Sequence, residues 1–223
     1  MAAEDVGPRV TIDSIRRAGA TVFRHRGYRG ATLNEIADLV GIHKASLYHY
    51  IESKEHLLLD ILEQGLEPSF EALRRISQDG SLAPGEKLYS ALHATALQAC
   101  VEKESVAVYM QRLDDDIRDV DRRDKYLEGR RTYERLIRGI VGECLVEQGL
   151  PDDPKVVTFG LLGMANWAAQ WFDPEGPSTA DEIAHAFAAL GLRALGYGEA
   201  DLTAGYAGTR AREMEMPSIS GRE

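Results

Sequence analysis

Between positions 32 and 54 the sequence reads TLNEIADLVGIHKASLYHYIESK, and its polar side chains are of the types that grip double-stranded DNA. Lys44 brings a positive charge to bases or phosphate. Ser46, Tyr48 and Tyr50 bring hydroxyls, and His49 brings a donor or an acceptor. Ala45 lets the backbone come close to a base edge. Thr32 can cap a helix and turn its hydroxyl or amide toward a phosphate. Asn34 follows it, and Lys54 ends the segment with a point charge for the DNA backbone. Each residue alone has a plainer reading: His49 as a surface histidine, Asn34 as a surface amide, Tyr50 as a ring packed on the preceding helix. The case for DNA rests on their combination and spacing.

That spacing predicts three helices. Ile12, Ile15, Gly19, Val22 and Phe23 form one apolar stripe over residues 11–26, with Gly27 as its stop. Thr32-Leu-Asn-Glu35 is a capping box, and Leu33, Ile36, Ala37 and Val40 follow at i, i+3, i+4 and i+7. Gly41-Ile42 breaks this second helix. A third runs over 43–50, with Leu47 and Ile51 inward and Lys44, Ala45, Ser46, Tyr48 and His49 on the other side. Two short helices joined by a glycine turn, behind a longer one, make a helix-turn-helix, whose third helix enters the major groove.

Over residues 10–62 the chain resembles TetR-family regulators. The resemblance rests on the Thr-capped helix, Glu35-Ile-Ala, the Gly41-apolar turn, Leu47-Tyr48-x-Tyr50 and Lys54-Glu55, with Phe23-x-x-x-Gly27-Tyr28-x-x-Ala31-Thr32 in front. His43 departs from the pattern, standing where many members carry a serine cap. The family implies a regulator, in most members a repressor, with a C-terminal body that binds an effector and forms a dimer on a palindromic operator. Trp167-Ala-Ala-Gln-Trp171-Phe-x-Pro174-x-Gly176-Pro177 is similar to the C-terminal helices of relatives controlling lipid or steroid breakdown, which often respond to acyl-CoA thioesters.

The charge distribution agrees with a DNA-binding head. The 223-residue chain has a net charge of −10, yet residues 9–54 carry eight Lys/Arg against four Asp/Glu. The acidic excess lies beyond them, and DNA feels the local field because salt screens charges beyond about 8 Å. The two cysteines, Cys100 and Cys144, read as core residues rather than a disulfide or a zinc site. The chain shows no long apolar run and no secretory signal at its start, so a cytoplasmic protein with no membrane contact is expected.

The expected fold is all-α: a helix-turn-helix domain over 1–56, a larger helical effector-binding and dimerisation domain over 57–197, and a mobile tail over 198–223. Further helices are expected from Ser53 to about 76, from about 86 to 100, over 125–148, 154–172 and 179–195. The acidic run 114–124 lacks the glycine turn and terminal Glu of a calcium loop and reads as a solvated loop or exposed helical start. Helix 154–172 is apolar on nearly every face and rich in small residues. With 179–195 (Ile183, Phe187, Leu190, Leu195) it can pair with its copy in a homodimer or be buried in the monomer core.

Tyr89, His93, Met110, Arg112, Tyr133, Asn166 and Trp167 combine polar tips with apolar bodies and are the candidate lining of an effector pocket. Arg130, Arg131 and Arg135 read either as solvated helix charges or as phosphate contacts of an acyl-CoA-like ligand. No cofactor and no metal is expected. A hydrolase lacks an oriented nucleophile–base pair, since only Cys100 or Cys144 with His93 is on offer. A helical protein–protein adaptor remains the alternative to a regulator.

Overall fold

Three of the helices begin with the same device. The computed structural model describes residues 10–215. In it, Thr11 opens α1 (Ile12–Gly30), Thr32 opens α2 (Leu33–Val40), and Thr179 opens α9 (Ala180–Ala194). Each threonine accepts from the main chain three residues on, while the side chain found there (Ser14, Glu35 or Glu182) reaches back, so two orphan amide groups are satisfied per helix. The other elements are α3 (Lys44–Leu47), α4 (Lys54–Gln78), α5 (Pro84–Val101), α6 (Lys103–Met110), a 3-10 turn (Leu113–Asp116), α7 (Val120–Gln148), α8 (Pro154–Trp171) and α10 (Glu199–Glu215). Among the described residues all regular structure is helical, and no helix is long and apolar enough to cross a membrane.

The chain divides into two compact units, residues 1–66 with 104–126 and residues 67–103 with 127–223. The division therefore falls inside α4 and α7 rather than at a linker, and the first unit takes in α6 and the acidic run. Its core is built from Ile15, Val22 and Phe23 of α1, Ile36 of α2, Leu47, Ile51, and Leu57, Leu58 and Ile61 of α4, all buried. Gly19 lets α4 lie close, because a Cβ there would sit 2.8 Å from Leu57 Cδ2. Gly27 takes a left-handed φ of 69° and kinks α1 rather than ending it.

The acidic run is not a free loop. Glu55 accepts from the amides of Arg118 and Asp119 at 3.1 and 2.8 Å, Arg29 pairs with Asp116 at 2.6 Å, and Arg122 with Asp60 at 3.3 Å. Ile117 is buried among these charges. The run begins α7 under tight local pairing, which its charge density alone does not foretell.

In the second unit α5 is the central helix and packs on α8, α9 and α10. Leu88, Leu92 and Ala96 of α5 are fully buried, as are Ala184, Ala188 and Leu192 of α9, and Ala165 of α8. A Cβ on Gly191 would collide with Leu92, so the α5–α9 contact depends on that glycine. Cys100 and Cys144 are free and buried, and burial pushes both thiols up to about 11.

The largest correction concerns the segment after 197. Residues 199–215 form α10 and do not belong to a mobile tail; 216–223 lie outside the described residues. Leu202, Gly205 and Thr209 lie at i, i+3 and i+7 on its buried face. Thr209 Oγ1 meets Ser90 Oγ at 3.0 Å, and a Cβ on Gly205 would sit 2.6 Å from Tyr89 Cγ. A glycine and a hydroxyl make these contacts, so the helix has little apolar period to betray it.

Candidate nucleic-acid interface

Local geometry presents the recognition segment. Gly41 adopts the left-handed conformation (φ 73°) that closes α2, and Ile42 N donates to Ala37 O at 3.0 Å. The turn delivers α3, which spans only Lys44–Leu47; Tyr48, His49 and Tyr50 continue as a hydrogen-bonded turn, not as the helix expected over 43–50. His43 opens α3 without a side-chain cap, consistent with its departure from a serine, and an uncapped start favours a short helix.

Leu47 and Ile51 are buried, so the segment is pinned from one side. On the other side Lys44, Ala45, Tyr48 (52% exposed), His49 and Tyr50 are exposed, and Ser46 is half-buried. The face is small at its start and hydroxyl- and imidazole-bearing at its end, as contacts in a groove require. Tyr50 reaches Val10 O at 3.5 Å yet stays 40% exposed, so both of its readings are partly met.

Two residues expected at phosphates are engaged within the chain. The Thr32 amide and hydroxyl both donate to Glu35 Oε2 at 2.9 Å, and Arg26 meets Oε1 of the same carboxylate at 3.3 Å. These donors, Thr32's first, hold the Glu35 carboxyl below its usual range. Asn34, two residues on from Thr32, is exposed. The Lys54 ammonium donates to the carbonyls of Tyr28 and Ala31 at 2.8 and 2.9 Å and lies 4.6 Å from the Tyr28 ring centre. Both carbonyls lie at the C-terminal end of α1, where main-chain carbonyls have no helical partner, and Lys54 satisfies them. A charge held there is turned inward, away from the role of a solvent-facing phosphate clamp. Tyr28, which the sequence offers only as part of the family pattern, is the ring beside it.

The candidate effector residues are shared between the two units. Met110 and Arg112 belong to the first unit, where Arg112 is exposed with a φ of 53°. Tyr89, His93, Tyr133, Asn166 and Trp167 belong to the second. Trp167 is 57% exposed and does not line the interior. Tyr133 bonds Thr95 at 2.8 Å and packs against Phe70, while Asn166 is half-buried. Arg131 and Arg135 are exposed and pair with Glu128, as solvated helix charges do.

Tyr89 and His93 join a polar cluster that the sequence reading did not assemble. Tyr89 Oη meets His185 Nδ1 at 3.1 Å, and His93 Nε2 meets Asp181 Oδ1 at 3.2 Å. Burial first, then the neighbouring His185, pushes His93 down to about 4, so the His93–Asp181 contact at neutral pH is a hydrogen bond and not an ion pair. Asp181 and His185, four apart on α9, carry a periodicity that was legible, but nothing in the sequence pairs them with a residue of α5.

Known proteins place this geometry. Residues 15–61 match the family model for bacterial regulatory proteins of the tetR family, and residues 81–195 match the tetracyclin repressor-like C-terminal domain. The transcriptional repressor KstR2 of Rhodococcus jostii is 30% identical over 182 residues, covering 79% of this chain and 86% of the repressor. A structure of AibR in complex with isovaleryl coenzyme A and operator DNA is 27% identical, with a TM-score of 0.61 over 80% of this chain and 96% of AibR. The ketosteroid transcriptional regulator KstR2 of Mycobacterium tuberculosis shares the fold at a TM-score of 0.71 and 24% identity, over 84% of this chain and 96% of its own. The chain belongs to the TetR family: it is a DNA-binding transcriptional regulator with a helix-turn-helix head and a tetracyclin repressor-like C-terminal domain.

Proposed function

We propose that the protein is a cytoplasmic repressor that binds a palindromic operator as a homodimer and is released by a largely apolar effector, of which an acyl-CoA thioester is the leading class. The observation that carries the reading is the exposed face of α3, held in place by buried Leu47 and Ile51. Lys44, Ala45, Ser46, Tyr48 and His49 read base edges, Thr32, Asn34 and Tyr50 position the backbone, and Lys54 braces the head.

The surface of α8 supports the dimer. A helix apolar all round needs cover, yet Val156, Phe159 (45%), Trp167 and Trp171 of α8 are exposed, as is Leu190 of α9. Gly160 and Gly163 have nothing within 4 Å of where a Cβ would sit, which leaves room for a second helix to approach. A dimer also sets two recognition helices at the ~34 Å spacing of successive major grooves. Tyr89, His93, Tyr133 and Asn166 supply polar anchors for the effector in the second unit. AibR, in complex with an acyl-CoA and its operator, supports the ligand class.

Fluorescence anisotropy on upstream intergenic DNA tests the reading. Sequence-specific, salt-sensitive binding that an acyl-CoA reverses is the expected result. Absence of binding at ~50 mM salt, where phosphate contacts are strong, excludes the regulator and leaves an adaptor.

A further inference from the structure

In the second unit α5 and α9 bring together three side chains that ligate metals. His93 Nε2 lies 3.2 Å and His185 Nε2 3.5 Å from the same oxygen, Oδ1 of Asp181. One donor atom from each residue lies within 4.8 Å of the other two. Tetrahedral zinc with bonds of ~2.0–2.1 Å places neighbouring ligand atoms about 3.3–3.5 Å apart. Two of the three edges of such a site are therefore already set.

The elements hold it rigidly. Asp181 and His185 are one helical turn apart on α9, and the α5 backbone carrying His93 packs directly against that helix. His93 is only 3% exposed.

The hydrogen bonding around the cluster has a gap of the right kind. His185 donates or accepts through Nδ1 at Tyr89, while its Nε2 is buried without a hydrogen-bond partner and faces a carboxylate oxygen. With Nδ1–H on the tyrosine, the Nε2 lone pair points at another lone pair, an arrangement that a cation between them relieves. The supporting contacts are those that orient ligands at metal centres. Tyr89 fixes the second nitrogen of His185, and Arg210 holds the second oxygen of Asp181 at 3.4 Å, leaving Oδ1 for a metal.

We propose that His93, Asp181 and His185 form a three-ligand site for a first-row divalent ion of the zinc class, with one coordination position open. Two imidazoles and a single carboxylate oxygen suit zinc, cobalt or nickel, whereas calcium and magnesium require several oxygens. Arg210 adds a positive charge beside the site, which further disfavours hard ions held by charge alone. The open position takes water or a ligand atom. The site is independent of the operator reading, since it involves no residue assigned to DNA.

The test uses the full chain, stripped with a chelator and titrated with zinc chloride alone, then with cobalt chloride. One equivalent of zinc per chain should survive desalting, and cobalt should give the intense visible bands of four-coordinate geometry. His93→Gln and His185→Gln should lose both, with helix content unchanged by circular dichroism. Tyr89→Phe should weaken zinc binding ten- to hundredfold, the usual cost of losing a ligand-orienting partner. No zinc retained by the wild-type chain, or equal retention by both histidine variants, overturns the proposal. Where a histidine variant does not fold, Tyr89→Phe decides, and an unchanged zinc affinity in it overturns the site. Operator binding by the stripped chain is measured separately, so loss of one property is not mistaken for loss of the other.

Discussion

The exposed face of α3 and the exposed face of α8 are built on opposite terms. Around α3 the exposed groups are polar or amphipathic, and the apolar ones beneath them are fully covered. Along α8 the large apolar groups exposed are two tryptophans, a phenylalanine and a valine, with glycines between them that leave open space and with Lys155 and Gln170 towards the ends. The first surface suits a partner that is charged, hydrated and read by hydrogen bonds. The second suits a partner that is dry and can interdigitate, and a second copy of the same helix is such a partner.

The comparison breaks most visibly at α8. Phe159→Glu with Trp167→Glu should weaken self-association by at least about a thousandfold, or ~4 kcal/mol, because two charges would have to be desolvated. Sedimentation velocity reads this, and an unchanged dimer would remove α8 from the interface. A smaller loss is expected inside the second unit. Gly205→Val should lower unfolding stability by about 1–3 kcal/mol by pressing on the Tyr89 ring, whereas Gly163→Ala should raise that of an isolated chain by about 0.5–1 kcal/mol, since alanine is the better helix former and meets open space. Denaturant melts at low concentration separate the two.

In the head, Lys54→Ala should destabilise by about 1 kcal/mol, since two part-buried carbonyls lose their donor. The slope of log K against log salt should stay as in wild type. A slope shallower by about one would return Lys54 to the phosphate. The smallest effect belongs to His49→Ala, which should cost about 1 kcal/mol of discrimination at one base pair and leave binding to random DNA alone. Competition against single-base operator variants measures it.

Much of the head was legible because its signals are local. Thr32 and Glu35, Gly41, and the inward pair Leu47 and Ile51 lie within a few residues of the partners that give them meaning. The intrachain bonds of Lys54 were not legible because its partners, Tyr28 O and Ala31 O, are main-chain atoms at the end of α1, and side-chain patterns do not report them. In the body, α10 escaped because Gly205 and Thr209 make its contacts in place of apolar residues. Met110 and Arg112 join the first unit and Tyr89 the second, and residue type says nothing about which unit a segment joins. His185 was missed because its meaning depends on His93, which lies 92 positions away in sequence and adjacent only in space.

The recognition helix is four residues long and has no side-chain cap. A helix of that length does not sustain itself in water, where even good formers need about 12–15 residues. Its shape is lent to it by the packing beneath, at Leu47 and Ile51. The fidelity of operator choice is therefore stored in the hydrophobic interior of the head as much as in the side chains that touch bases. A head loosened by heat or by a truncated core residue should first become an indiscriminate binder, still held by charge, and only later release DNA.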